Sequence, residues 1–287
     1  MMFMAALALT VSVRMHAAAP FAYPVVPDSI TEIQSRYDYF VSHFWDRVDL
    51  KRAFSSKSSV AEAFSDYVKP MRFATSDTVY ASISRFVGRL ARQPRDLLYI
   101  AGLAEATFYA DTAAVPSDEL YVAFLRPILA NRKIDRTLAA RHEMHLEQLE
   151  HSLVGFPLGS LRMTDREGRA VRFVPRKGQA SVIYINDPEC DDCRLARIRL
   201  AASIRMREHI ESGRLAVVAL TPGDPTDEWR EAVASYPEEW LVGADPDLDL
   251  HLDLRAGIPS FYIVDENGNI AAKHLTVDTF MNILSRI

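Results

Sequence analysis

The stretch ASVIYINDPECDDC (residues 180–193) decides how the second half of the chain folds. It opens with Val182, Ile183, Tyr184 and Ile185 in a row, an apolar and β-prone run that suits a central strand covered on both faces. It then turns at Pro188 and ends in the two cysteines of the chain, Cys190 and Cys193, with Asp191 and Asp192 between them. The next segment, RLARIRLAASIRMREHIES (residues 194–212), reads as a helix. A Cys-x-x-Cys at such a strand-to-helix step sets the first sulfur where unpaired backbone N–H groups and the helix dipole favour a thiolate, so Cys190 is the expected attacker. Cys193, one turn on, can then attack the mixed disulfide and release the partner. A structural or vestigial staple is the alternative. A metal clamp is not expected, because two thiolates need two more ligands and no His or Cys lies at usable spacing.

Outward from this step, short alternating runs continue on both sides. SLRMTDREGRAVRFVP (160–175) predicts a hairpin turning at Glu167 and Gly168. RLAVVAL (214–220) predicts another strand, followed by a helix near 226–234, a short strand near 240–242 and an Asp-rich solvated loop. GIPSFYIVDENGNIAAKHL (257–275) predicts two strands joined at Asn267 and Gly268, and a terminal helix follows at 277–286. Strand, helix, strand, helix, then hairpin and helix is an open α/β arrangement with a mixed sheet, assigned to residues 153–287.

Ahead of GFPLGS (155–160), whose glycines and proline end helical texture, the pattern is helical. ITEIQSRYDYFVSHFWDRVDL (30–50) puts Ile33, Tyr37, Phe40, Val41, Phe44, Trp45 and Val48 on one stripe at spacings of three and four. Further amphipathic runs at 59–67, 77–90, 95–109, 117–130 and 134–152 bring the total to about six helices, an all-α domain at 28–152. His142 and His145 lie three apart on the last of these, a spacing that differs from the zinc-binding His-Glu-x-x-His, and they are expected to edge the helical core.

The chain has 287 residues, enough for two domains, and 33 basic against 38 acidic residues give a formal charge of -5. With no polybasic block, nucleic acid is not an expected partner. Residues 1–22 read as a signal-peptide-like segment: MMFMAALALTVSV is apolar and Ala17 to Ala19 offers a small-x-small cleavage site, although no positive charge precedes the run. The expectation is export to the periplasm or an equivalent oxidising compartment, without stable membrane insertion once the signal is removed.

From TDREGR, the strand leading into Cys190 and Cys193, the inserted RLAVVALTPGDPTDEWREAV, and GIPSFYIVDENGNI, residues 153–287 resemble the thioredoxin-like superfamily, specifically the exported thiol-disulfide oxidoreductases of the TlpA/ResA kind. That resemblance implies a client protein whose disulfide is reduced or exchanged, an upstream electron-donor protein and no cofactor. It also implies a cis Pro259 whose loop faces the cysteines, with Ile258 offering backbone pairing to an extended substrate. A non-catalytic thioredoxin-like binding module is the alternative. HFWDRVDL (43–50) and SDELYVAFL (117–125) make the helical half similar to a domain of unknown function that precedes thioredoxin-like domains in exported proteins of Gram-negative gut anaerobes.

The departures from the family pattern are chemical. Glu189 stands where thioredoxins usually carry Trp, and Asp191 and Asp192 replace the usual Gly-Pro. Three carboxylates oppose thiolate formation, so Cys190 is expected to stay close to an ordinary thiol, and the couple to be reducing, toward roughly -270 mV rather than about -120 mV. The strand before the cysteines lacks the buried acid that assists the resolving cysteine in thioredoxins, and Tyr184 takes its place. Proton transfer at Cys193 is then expected to use Glu189, Asp192 or water.

Overall fold

The structure, a computed structural model, describes residues 21–286. All but the last two residues of the signal-peptide-like segment at 1–22 lie outside the described residues. Two compact units emerge: the chain up to Ser117 together with Pro127–Asp135, and Asp118–Arg126 together with the chain from Arg136 onward.

The first unit is built from α1 (Ile33–His43), α2 (Leu50–Ala53), α3 (Lys57–Val68), a 3-10 turn at Lys69–Phe73, α4 (Ser76–Arg89), and α5 (Pro94–Ala104) with its π-helical extension Glu105–Tyr109. The stripe read from the sequence over 30–50 is interrupted after His43, because Asp49 caps a new short helix by accepting the Arg52 N–H at 3.1 Å. Its core is aromatic: Trp45 stacks on Phe86 at 4.2 Å between centroids, and Phe44 and Tyr67 close around them. Tyr67 bonds Ser82 at 2.7 Å, and Ser82 donates to the Val41 carbonyl at 2.7 Å, so the buried hydroxyls are satisfied.

Helices α6 (Asp118–Leu129) and α7 (Arg136–Glu150) complete the helical region. The first nine residues of α6, Asp118–Arg126, and all of α7 group with the second unit, so the spatial division differs from the change of texture that the sequence carries at 152 and 153. The bonds responsible are polar and non-local: Arg126 pairs with Glu150 at 2.7 Å, and Gln148 donates to the Asp249 carbonyl at 3.0 Å.

The rest of the second unit is β1 (Leu161–Asp165), β2 (Ala170–Phe173), β3 (Ala180–Ile185), α8 (Asp191–Ala201), α9 (Ile204–Glu211), β4 (Leu215–Pro222), α10 (Asp227–Val233), β5 (Leu241–Asp245), α11 (Leu248–His251), β6 (Ser260–Val264), β7 (Ile270–Leu275) and α12 (Val277–Leu284). The seven strands lie in the order β2-β1-β5-β4-β3-β6-β7, with β3, β4 and β5 parallel and the other pairings antiparallel. Residues 182–185 are buried, as a strand clad on both faces requires. One cladding layer holds Tyr184 stacked on Phe261 (4.9 Å) and Phe261 on Phe280 (5.2 Å), tying β3, β6 and α12 together. Each such pair contributes roughly 0.5–1.5 kcal/mol beyond the area it buries. At the β1–β5 pairing Gly243 is required, because a Cβ there would meet the Met163 side chain at 2.6 Å.

Two local expectations change. The single helix expected over 194–212 is two helices, since Ser203 accepts the Met206 N–H at 3.3 Å and starts α9 afresh. The Asp-rich stretch after β5, expected as a solvated loop, contains α11 and buries Leu248, Leu252 and Asp253.

Candidate functional site

Strand β3 runs into the cysteines through a tight loop. Cys190 N–H bonds the Asp187 carbonyl at 3.1 Å, and the Asp187 carboxylate accepts the Glu189 N–H at 2.9 Å. Cys190 is the N-cap of α8, and its sulfur accepts the Cys193 N–H at 3.2 Å. It therefore sits on the positive end of the helix, where a thiolate gains most from the free N–H groups. Both cysteines are free thiols, Cys190 partly exposed and Cys193 fully buried, so an incoming disulfide meets Cys190 first.

The β3–β6 ladder fixes the other wall. Ile185 pairs with Ser260, so the next step in register sets Pro259 level with Asn186, where the cysteine loop leaves the strand. The Ile258–Pro259 peptide is cis, and Ile258 is 41% exposed, open to a partner.

Beneath the pair lie two tyrosines. Tyr184 donates from its hydroxyl to the Cys193 carbonyl at 2.6 Å, and Tyr236 donates to Asn186 Oδ1 at 2.6 Å. Asn186 in turn donates to the Tyr184 and Leu220 carbonyls. Arg197 lies over the Tyr236 ring at 4.6 Å. Burial pushes the Cys193 thiol up to about 12, with the Cys190 sulfur and the Asp187 charge adding and the Asp187 N–H, 3.5 Å from Cys193 Sγ, opposing. Burial also raises both tyrosines, Tyr236 to about 12, with the negative groups of the site adding and Arg197 opposing. Neither tyrosine ionises near neutral pH.

The residues singled out from sequence are placed unevenly. Cys190 and Cys193 come together at the helix start, and Tyr184 underlies Cys193. Glu189, Asp191 and Asp192 are exposed around Cys190, and Asp191 pairs with Arg194 at 2.8 Å. Sequence reasoning passed over Asp187, although an acid just past a strand end and ahead of Pro188 is a standard turn-former. His142 and His145 are buried, each with Nδ1 near the Tyr121 hydroxyl (3.1 and 3.0 Å).

A second charged centre was not legible in the sequence. Asp253 is 0% exposed and meets Arg255 (2.6 Å), Lys273 (3.0 Å) and His274 (3.3 Å), while Asp118 pairs with Arg255 and Lys273 at 2.6 Å each. Although burial opposes it, the bonds from His274 and Arg255 and the charge of Lys273 hold the Asp253 carboxyl well below the usual range.

Comparison with known proteins agrees with this geometry at the level of fold. A thioredoxin-like protein from Bacteroides caccae superposes with a TM-score of 0.69 at 21% identity, over 93% of this chain and 98% of that one. A conserved protein of unknown function from Bacteroides fragilis (TM-score 0.42, 24% identity, 46% of this chain and 99% of that one) is also similar. So is the thioredoxin domain of a thiol-disulfide oxidoreductase from Bacteroides vulgatus (0.39, 21%, 47% and 96%). No curated protein matches the chain. No helix among the described residues is long and apolar enough to cross a membrane. The second unit thus carries a thioredoxin-like fold, and because the model of the domain of unknown function DUF5106 matches residues 5–152, more than half of the sequence, the chain belongs to the DUF5106 family.

Proposed function

We propose that the protein is an exported thiol-disulfide oxidoreductase that reduces or exchanges disulfides in client proteins, with Cys190 attacking and Cys193 resolving. The observation that carries this reading is the asymmetry of the pair: Cys190 caps α8 at the surface while Cys193 is sealed behind it, one turn away. Cys190 meets the client disulfide, and Cys193 is reached only from within the mixed disulfide. The Pro259 loop forms the groove that receives an extended client segment, and Ile258 offers it backbone pairing. Glu189, Asp191 and Asp192 ring Cys190 with carboxylates, and the couple is reducing. An upstream electron-donor protein returns the two electrons, and the two sulfurs carry them without a cofactor. The chain, with a helical domain at 28–152 and a redox domain at 153–287, works in the periplasm or another compartment reached by export.

An insulin-reduction assay on the full chain, supplied with several dithiol donors, tests the reading. Wild type is expected to precipitate insulin B chain and Cys190→Ser to be inactive. Equal turnover by the two proteins, or none by wild type with any donor, would refute it in favour of a thioredoxin-like binding module whose cysteines are structural.

A further inference from the structure

The stripe that the sequence sets on α1 is only partly covered in the folded chain. Of its members within the helix, Val41 is buried, Tyr37 and Phe40 are half-buried, and Ile33 is 65% exposed. The uncovered turns form one wall of a groove of about 720 Å³, and the end of α3 with the 3-10 turn behind it forms another. Ile33, Tyr37 and Phe40 recur at the spacing of one helix face and supply an apolar floor, with Phe73, 44% exposed, stacked on Tyr37 at 4.8 Å. A volume of this order suits a small organic molecule, and large apolar side chains left open beside charged ones mark an interaction site.

The charges along the groove decide what it takes. Asp66 is the one carboxylate among its described lining residues, and both its oxygens are engaged: Lys69 meets one at 3.2 Å and the Tyr23 hydroxyl donates to the other at 2.7 Å. Arg36 donates from its guanidinium to the Ile30 carbonyl at 2.7 Å, and the Arg72 guanidinium lies over the Phe73 ring, 4.5 Å from its centroid. Among the described residues, no carboxylate pairs with either arginine. An apolar floor with two uncompensated guanidinium groups is complementary to a flat apolar molecule with an anionic head.

We propose that this groove of the helical domain binds a small aromatic carboxylate, its ring against Tyr37 and Phe73 and its carboxylate facing Arg36 and Arg72. The aromatic class follows from the stacked pair and from the arginine already lying on a ring face, since rings and guanidinium planes stack alike. The carboxylate follows from the planar guanidinium fork, which pairs two oxygens at once. The site uses neither cysteine and stands apart from the thiol-disulfide reading.

Calorimetric titration of the full chain with naphthoate, with its uncharged amide naphthamide, and with dodecanoate, an aliphatic carboxylate, tests the proposal. Naphthoate is expected to bind one per chain with a Kd on the order of 100 µM, as a ligand of its size allows, and to weaken as salt is raised. Naphthamide and dodecanoate are each expected to bind about tenfold more weakly. Arg72→Gln and Phe73→Ser alter exposed side chains, so both are expected to keep the wild-type melting temperature and circular dichroism while losing about tenfold in naphthoate affinity. Lys51→Gln, at an exposed residue outside the groove, is expected to bind as wild type does.

Absence of naphthoate binding by wild type overturns the proposal, as does equal binding of naphthamide or full affinity in both groove variants. Tighter binding of dodecanoate overturns the aromatic class in favour of an acyl chain. Self-association of wild type that Phe73→Ser abolishes, without naphthoate binding, assigns the groove to a second copy of the chain and also overturns it.

Discussion

Replacing Asp253 by Asn is the sharpest test of how the second unit is held together. The carboxylate is fully buried and meets the cationic Arg255 and Lys273 and the His274 ring within 3.3 Å, and the Lys273 side chain is itself only 7% exposed. Asn preserves the volume but removes the charge, leaving Arg255 and Lys273 with Asp118 as their shared counter-ion. Removing one partner of a buried ionic group costs about 3–5 kcal/mol, since the remaining charges stay desolvated. For a unit of this size each kcal/mol moves the melting temperature by about 2–4 °C, so Asp253→Asn is expected to melt roughly 6–20 °C lower. The pH dependence has a definite sign. The folded-state carboxyl is held below its unfolded value of about 3.9, so its stabilisation is fully present above about pH 4 and is lost as pH falls further. Urea titrations of wild type and Asp253→Asn, followed by circular dichroism at several pH values, give both quantities. The reasoning is refuted if the variant lies within about 1 kcal/mol of wild type at neutral pH, or if its stability falls below pH 4 as steeply as that of wild type.

Two further predictions concern the cysteines. Because burial raises the Cys193 thiol to about 12, iodoacetamide on the native reduced protein is expected to label Cys190 alone between about pH 7 and 9. Peptide mass spectrometry would then find Cys193 labelled only after denaturation, and its native labelling at a comparable rate would contradict the buried site. Equilibration against glutathione is expected to give a potential toward roughly -270 mV, whereas a value near about -120 mV would overturn the reducing assignment.

Local chemistry made much of this molecule legible in advance. Val182 to Ile185, the turn at Pro188 and the two cysteines are consecutive, so the strand, the loop and the start of α8 follow from residues in mutual contact along the chain. The hairpins at Glu167–Gly168 and Asn267–Gly268 were legible for the same reason: Gly168 (φ 79°) and Gly268 (φ 86°) hold backbone conformations that glycine adopts without strain. The break between α8 and α9 was harder to see, because Ser203 lies inside an uninterrupted helical pattern and acts only through its side-chain cap. Asp187 escaped notice because its significance is a main-chain N–H aimed at a sulfur six residues on.

The sequence by itself determined the strand-to-helix step, the order of elements around it and the pair of sulfurs that the step presents, since each depends on neighbours a few residues apart. Only the tertiary structure decided which sulfur is sealed, which main-chain N–H reaches it and which aspartate is buried. Cys193 is buried on α8 with the Tyr184 hydroxyl of β3 bonded to its carbonyl, and Asp253 is neutralised by Arg255 and by Lys273, twenty positions away, with Asp118, 137 positions from Arg255, as the next link. Burial and charge pairing depend on what the folded chain brings within a few ångströms, and at such separations that proximity is a property of the packed sheet and its helices.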